Sequence, residues 1–217
     1  MTVFFIFDKM YLIKTPDILS TISKKNLTWR VRTQEPQLYL TFDDGPAPGI
    51  TDEISNILLE KNVKATFFCI GQNIDKHPDI FENILAKGHT IGNHTYNHLN
   101  GWKTNNEHYY ININAFHDIY PTKLFRPPYG KIKLSQIRKL SKDYRIILWS
   151  LLSGDFDPKI TPEKCCNNVI NNLHNGAVIV FHDNVKAMKN VLYCLPKIID
   201  HAHKQGYHFK TLKSDTP

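Results

Sequence analysis

Two carboxylates side by side, Asp43 and Asp44, follow directly on the apolar run Leu38-Tyr39-Leu40-Thr41-Phe42 and precede Gly45-Pro46. Adjacent anions repel each other and each resists leaving water, so a cation and a basic side chain are the economical compensation. Asp-Gly-Pro is also ordinary turn chemistry, and in isolation the pair reads as well as a strand-closing turn. Further on, His94 and His98 stand four apart, a spacing that puts two imidazoles one helical turn apart, able to share a metal. The chain has 11 histidines, so the spacing alone says little. Arg126, in Phe125-Arg126-Pro127-Pro128-Tyr129-Gly130, can grip a carboxylate bidentately from a loop stiffened by two prolines. Asp155 and Asp157 are both available to orient a polar neighbour. His182 ends the run Ala177–Phe181, where an imidazole can act as a general acid or simply as a satisfied structural group. One carboxylate with two imidazoles leaves coordination positions open, as a catalytic metal requires and a structural zinc site does not.

What must position these residues is legible in the alternation of short apolar runs with longer amphipathic ones. Strand-like runs are Leu38–Phe42, Ala65–Ile70, His89–Gly92, Lys123–Phe125, Ile146–Trp149, Ala177–Phe181 and His208–Leu212. Helix-like stretches lie near 52–61, 79–87, 106–118, 133–142, 162–174 and 188–204, with Pro and Gly at the joints. Such alternation implies a mostly parallel sheet with helices outside it. Seven strands point to a distorted, incomplete (β/α)7-8 barrel, although an open doubly wound sheet would read alike. The chain divides into an extension over 1–35 that straps the barrel, a barrel domain over 36–212 and a polar tail over 213–217. In parallel α/β folds reactive groups gather at the C-terminal ends of strands. The polar constellations above all fall there.

Composition sets the outer limits. The 217 residues fit one domain, and 41% hydrophobic with 22% charged residues is ordinary globular composition. The net charge of +7 suits an acidic partner or a solvated basic surface, but no Lys/Arg block is dense enough for a nucleic-acid site. No apolar run approaches the roughly 18 residues of a membrane helix. The first residues, Met1 to Asp8, lack the basic n-region and cleavage site of a signal peptide, and Met10 offers a second start. A cytoplasmic, monomeric protein is therefore expected, with cell-envelope association as the alternative. Cys69, Cys165, Cys166 and Cys194 form no CxxC pair and read as free thiols.

Taken in order, five segments resemble the motifs of the polysaccharide deacetylase (NodB-homology) family, carbohydrate esterase family four. They are Thr41-Phe42-Asp43-Asp44-Gly45-Pro46, His94-Thr95-Tyr96-Asn97-His98, Arg126-Pro127-Pro128-Tyr129, Asp155-Phe156 and Val180-Phe181-His182. The resemblance implies a NodB-like barrel and a metal-dependent hydrolase that removes N-acetyl groups from an N-acetylated sugar in a polysaccharide, peptidoglycan-type or lipid-linked glycan. It implies Asp44, His94 and His98 as ligands of a divalent metal, most often Zn2+, with Co2+, Ni2+, Mn2+ or Fe2+ as alternatives. Asp43 would be the general base held by Arg126, and Tyr129 would offer its backbone N–H to the oxyanion. His182 would protonate the leaving amine, tuned by Asp155. Tyr129, Pro128 and Phe156 would contact the sugar. The usual D-x-x-D-W pattern is altered, with Leu152 for the first Asp and Phe156 for the Trp, which bears on substrate preference. The rival readings are an O-acetyl esterase on the same scaffold and a non-catalytic glycan-binding module.

Overall fold

A computed structural model describes residues 11–16, 18–19 and 26–214. Both alternative starts, Met1 and Met10, and the tail beyond Ser214 lie outside them. The strands are β1 (Leu27–Thr28), β2 (Gln37–Asp43), β3 (Thr66–Cys69), β4 (Thr90–Asn93), β5 (Leu124–Phe125), β6 (Arg145–Ile147), β7 (Leu151–Leu152), β8 (Ala177–His182) and β9 (His208–Phe209). The helices are α1 (Ile50–Glu60), α2 (Gly71–Lys76), α3 (Pro78–Ala86), α4 (Asn106–Ile119), α5 (Leu134–Leu140), α6 (Pro162–Ile170) and α7 (Met188–Lys204).

All named strand pairs are parallel, in the order β1-β6-β5-β4-β3-β2-β8-β7, with β9 added beside the start of β2. The sheet curls into the expected distorted barrel. Its far ends draw together, since Arg30, just after β1, bridges Ala177 of β8. Strands β1 and β7 and helix α2 were not expected, because two-residue strands and a six-residue helix are too short to show a period.

The side-chain alternation of β2 explains how the barrel is filled. Leu38, Leu40 and Phe42 face the helix layer, where they join Ile50, Ile54 and Leu58, the apolar stripe of α1. Tyr39 joins a separate cluster with Phe68, Leu124, Ile147 and Val178. Asp43 shares the pleat face of Tyr39 and Thr41, so the same period turns it away from the helices. Each fully buried Leu, Ile or Phe contributes roughly 1.5–3 kcal/mol. Helices start where the sequence caps them. Asn105 accepts the His108 N–H ahead of α4, and Thr161 accepts the Lys164 N–H ahead of α6, which begins with a proline. Among the described residues no helix is long and apolar enough to cross a membrane, and all four cysteines are free and buried.

Candidate active site

The reactive side chains sit at, or one residue past, the ends of the hydrogen-bonded ladder. Asp43 stands in register with His182 on the neighbouring strand. The ladder continues through Asp44 N to Phe68 O (3.3 Å), His94 N to Cys69 O (2.9 Å) and Arg126 N to Asn93 O (3.0 Å). Four separate strand ends therefore deliver polar groups to one rim. Together they open on a cleft of about 800 Å³ lined by Asp43, Asp44, His94, His98, Tyr129 and His182, among others. A second cavity of about 420 Å³ lies at the other end of the barrel, beside Lys123 and Arg145.

Asp44, His94 and His98 converge, each presenting one ligand atom within 4.8 Å of the other two. Asp44 Oδ1 lies 3.1 Å from His98 Nε2 and 3.7 Å from His94 Nε2. His94 Nδ1 is 2.8 Å from the Arg126 carbonyl, which can only accept, so that nitrogen carries the proton and Nε2 presents a lone pair. A lone pair aimed at a carboxylate oxygen is repulsive unless a cation lies between them. The donor set therefore fits a divalent ion. Burial pushes His94 down to about 4, despite nearby carboxylates, so it is neutral as a ligand must be. Burial tends to raise Asp44, but the His98 hydrogen bond and the surrounding imidazoles hold it well below the usual carboxylate range.

The histidine pair is not helical, contrary to the spacing argument. Residues 94–98 form a loop, with φ of 64° at Thr95 and 57° at His98. The left-handed residues turn the chain sharply enough to bring the imidazoles to 5.1 Å between centroids. Asp44 (φ 89°) and Tyr129 (φ 61°) share this costly conformation, so strained backbone concentrates around the candidate metal.

Arg126 is fully buried, its guanidinium 4.1 Å over the Phe68 ring. It does not hold Asp43 bidentately. Nη1 alone reaches Asp43 Oδ1 (2.6 Å) and Thr41 Oγ1 (2.7 Å), while Nη2 and Nε donate to the carbonyls of Leu148 and Ile147. Asp43 Oδ2 is thus left to face the cleft. Opposite, Asp155 is the carboxylate that orients His182, accepting its backbone N–H (2.6 Å) on Oδ2 and its Nδ1 (2.8 Å) on Oδ1. Burial alone would lower His182, but the charge and hydrogen bond of Asp155, with Asp44 and Asp43 behind them, together outweigh it and lift the imidazole to about 10. Asp157, the other candidate, turns away to accept the Tyr11 hydroxyl at 2.9 Å.

Tyr129 is exposed, with its ring 4.6 Å from His98, and Phe156 lies edge-on to His182 at 5.2 Å. Pro128 is buried under its turn and is absent from the cleft lining. Trp102 also stays outside the cleft, donating to the Ile132 carbonyl.

Three further residues shape the site. Asn184 Nδ2 donates to Asp44 Oδ2 (2.8 Å), fixing the carboxylate so that Oδ1 faces the histidines. Asn73 Nδ2 holds the Asp44 carbonyl (2.7 Å). Asp183, which burial raises to about 8, accepts from Gly45 N and Thr51 Oγ1, and a Cβ at Gly45 would lie 1.8 Å from its Oδ2. Gly45 therefore has to be glycine for the Asp43-Asp44 loop to close on Asp183. Asp183 and Asn184 directly follow His182 in sequence, the one signal that could have found them.

Comparison with known proteins agrees with this geometry. Residues 30–146 match the family model described as polysaccharide deacetylase. The chain belongs to the polysaccharide deacetylase family. It is 37% identical to a peptidoglycan-N-acetylglucosamine deacetylase of Bacillus cereus over 82% of this chain and 67% of that protein. A chitooligosaccharide deacetylase of Azorhizobium caulinodans is 31% identical over 71% of this chain and 77% of its own. A solved peptidoglycan N-acetylglucosamine deacetylase superimposes with a TM-score of 0.85 at 34% identity, covering 91% of this chain and 95% of that one. As a polysaccharide deacetylase the chain is a metal-dependent hydrolase of acetylated carbohydrate.

Proposed function

We propose that the chain hydrolyses the acetamido group of N-acetylglucosamine units in a peptidoglycan-type glycan, with Asp44, His94 and His98 holding Zn2+. The observation that carries this reading is the convergence of those three ligands between two oppositely prepared groups, Asp43 on Arg126 and His182 on Asp155. The relatives named above supply the sugar. Such a substrate would bring the protein to the cell envelope.

The bound ion would polarise the acetyl carbonyl and acidify water. Asp43, with Oδ1 engaged by Arg126, takes the proton of the attacking water on Oδ2. The guanidinium, donating to Oδ1, steadies the position of that carboxylate through the step. The Tyr129 N–H, on its left-handed turn, is the donor for the developing oxyanion. His182 has Nδ1 tied to Asp155, so its Nε2 proton passes to the departing amine, giving acetate and a free glucosamine nitrogen.

The test is metal content and acetate release for the wild type and Asp43→Asn, on N-acetylglucosamine oligomers beside an O-acetylated xylan. Asp43→Asn keeps its metal and loses about 10²–10⁴-fold in kcat. Metal-replete wild type that spares N-acetylated glycans, or an Asp43→Asn variant that matches it, overturns the proposal. Preference for the xylan would instead favour an esterase, and glycan affinity without turnover a binding module.

A further inference from the structure

The strap ahead of the barrel enters the catalytic cleft. Residues 11–16 run antiparallel to β7, the edge strand of the sheet, with Lys14 bridging Leu151. Leu152 N donates to Ile13 O (2.8 Å) and Thr15 N to Ser150 O (3.0 Å), while Thr15 Oγ1 donates to Trp149 O (2.8 Å). These bonds cover an edge that would otherwise expose unpaired backbone groups. They also fix the position of Tyr11, two residues before Ile13.

Tyr11 lines the cleft that holds Asp43, His94 and His182. Its ring packs on Phe156 at 5.1 Å, and Phe156 in turn packs on His182 at 5.2 Å. Its hydroxyl donates to Asp157 Oδ2 at 2.9 Å, and Asp157 Oδ1 accepts the Lys159 N–H. The close approach is possible because residue 154 has no side chain. A Cβ at Gly154 would lie 2.9 Å from the Tyr11 hydroxyl and 3.1 Å from its ring.

We infer that Tyr11 is a substrate-contacting residue: with Phe156 it forms a two-ring platform for a hexosamine unit of the glycan, and its hydroxyl locks that platform to the 153–157 loop. Pyranose rings present C–H faces that pack on aromatic faces, and two tilted rings at 5.1 Å offer a concave wall rather than a flat one. Residues 11–16 thereby take part in substrate binding as well as covering the β7 edge. This inference rests on the deacetylase reading of the same cleft.

The test compares full-length zinc-loaded wild type, Tyr11→Phe and Tyr11→Ala on N-acetylglucosamine dimer and tetramer. Acetate release gives kcat and KM, and calorimetry gives Kd. Tyr11→Ala raises KM and Kd for the tetramer about tenfold, while kcat falls less. Tyr11→Phe, which keeps the ring, recovers most of the affinity. A merely structural strap would lower the melting temperature and leave KM and Kd alone. Variants within twofold of wild type in both constants overturn the inference. If wild type binds the tetramer but releases no acetate, the functional reading fails while Kd still decides the role of Tyr11; if wild type does not bind it, both fall.

Discussion

Strand β4 is flanked by two buried histidines that share an environment but not a role. His89 precedes its first residue and His94 follows its last. Both are nearly inaccessible, and burial pushes both down to about 4, with Lys64 and Lys87 adding to the effect at His89. His89 Nδ1 accepts the Ala65 N–H (3.2 Å), so Nε2 carries the proton, and it has no hydrogen-bond partner among the described residues. His94 has the opposite tautomer, its Nδ1 proton spent on a carbonyl and its Nε2 lone pair facing Asp44. Burial and a depressed pKa are therefore common to a packing residue and a candidate ligand. What separates them is which end of the strand they occupy and which nitrogen is left over.

Replacing each histidine in turn has the largest expected effect on one and the smallest on the other. His94→Ala removes a ligand, so bound metal falls to background and acetate release disappears with it. His89→Asn keeps an acceptor near the Nδ1 position, so metal content and kcat stay within about twofold of wild type. Metal analysis and initial rates on the same preparations decide the matter. Loss of metal in His89→Asn, or its retention in His94→Ala, would mean that strand-end position is not what assigns the roles.

A smaller effect is expected where a histidine acts through its partner. Asp155→Asn preserves the shape of the site but removes the negative charge that lifts His182 to about 10. Without it, only Asp44 and Asp43 remain to oppose burial, and the imidazole titrates lower. In the proposed mechanism His182 carries the proton that releases the amine, so the alkaline limb of kcat moves to lower pH, and the rate at neutral pH drops about 10²-fold. An unchanged pH profile in Asp155→Asn would show that His182 is not the acid.

The place of the candidate site in this fold was readable because it is written locally. Asp43, Asp44, His94, Arg126 and His182 each lie within a residue or so of the apolar run that carries them, and strand ends converge by construction. Errors arose where spacing was translated into a conformation. His94 and His98 meet through left-handed loop residues rather than a helical turn, and Arg126 spends its other nitrogens on carbonyls that no motif records. The wall of the cleft was the least legible part. Tyr11 meets Asp157 across 146 residues, and Asn184 meets Asp44 across 140, pairings that exist only after the barrel curls.

The finest test returns to His89 and to stability. In the unfolded chain a histidine titrates near 6.5, whereas His89 in the folded protein holds out to about 4. Between those values the unfolded state binds a proton that the folded state refuses, so folding weakens as the solution is acidified. The contribution is complete above pH 6.5 and is lost as pH falls towards 4, and it amounts to about 2 kcal/mol once partial solvent screening is allowed for. His94 titrates over the same window, so the wild-type slope alone cannot assign the effect. Urea unfolding of wild type and His89→Asn at pH 7 and pH 4.5, with metal chelated in both, isolates one imidazole by difference. Wild type should lose more stability between the two pH values than the variant. Parallel losses would mean that the His89 site admits enough water to charge freely, and the likeness between the two ends of β4 would then be one of burial alone.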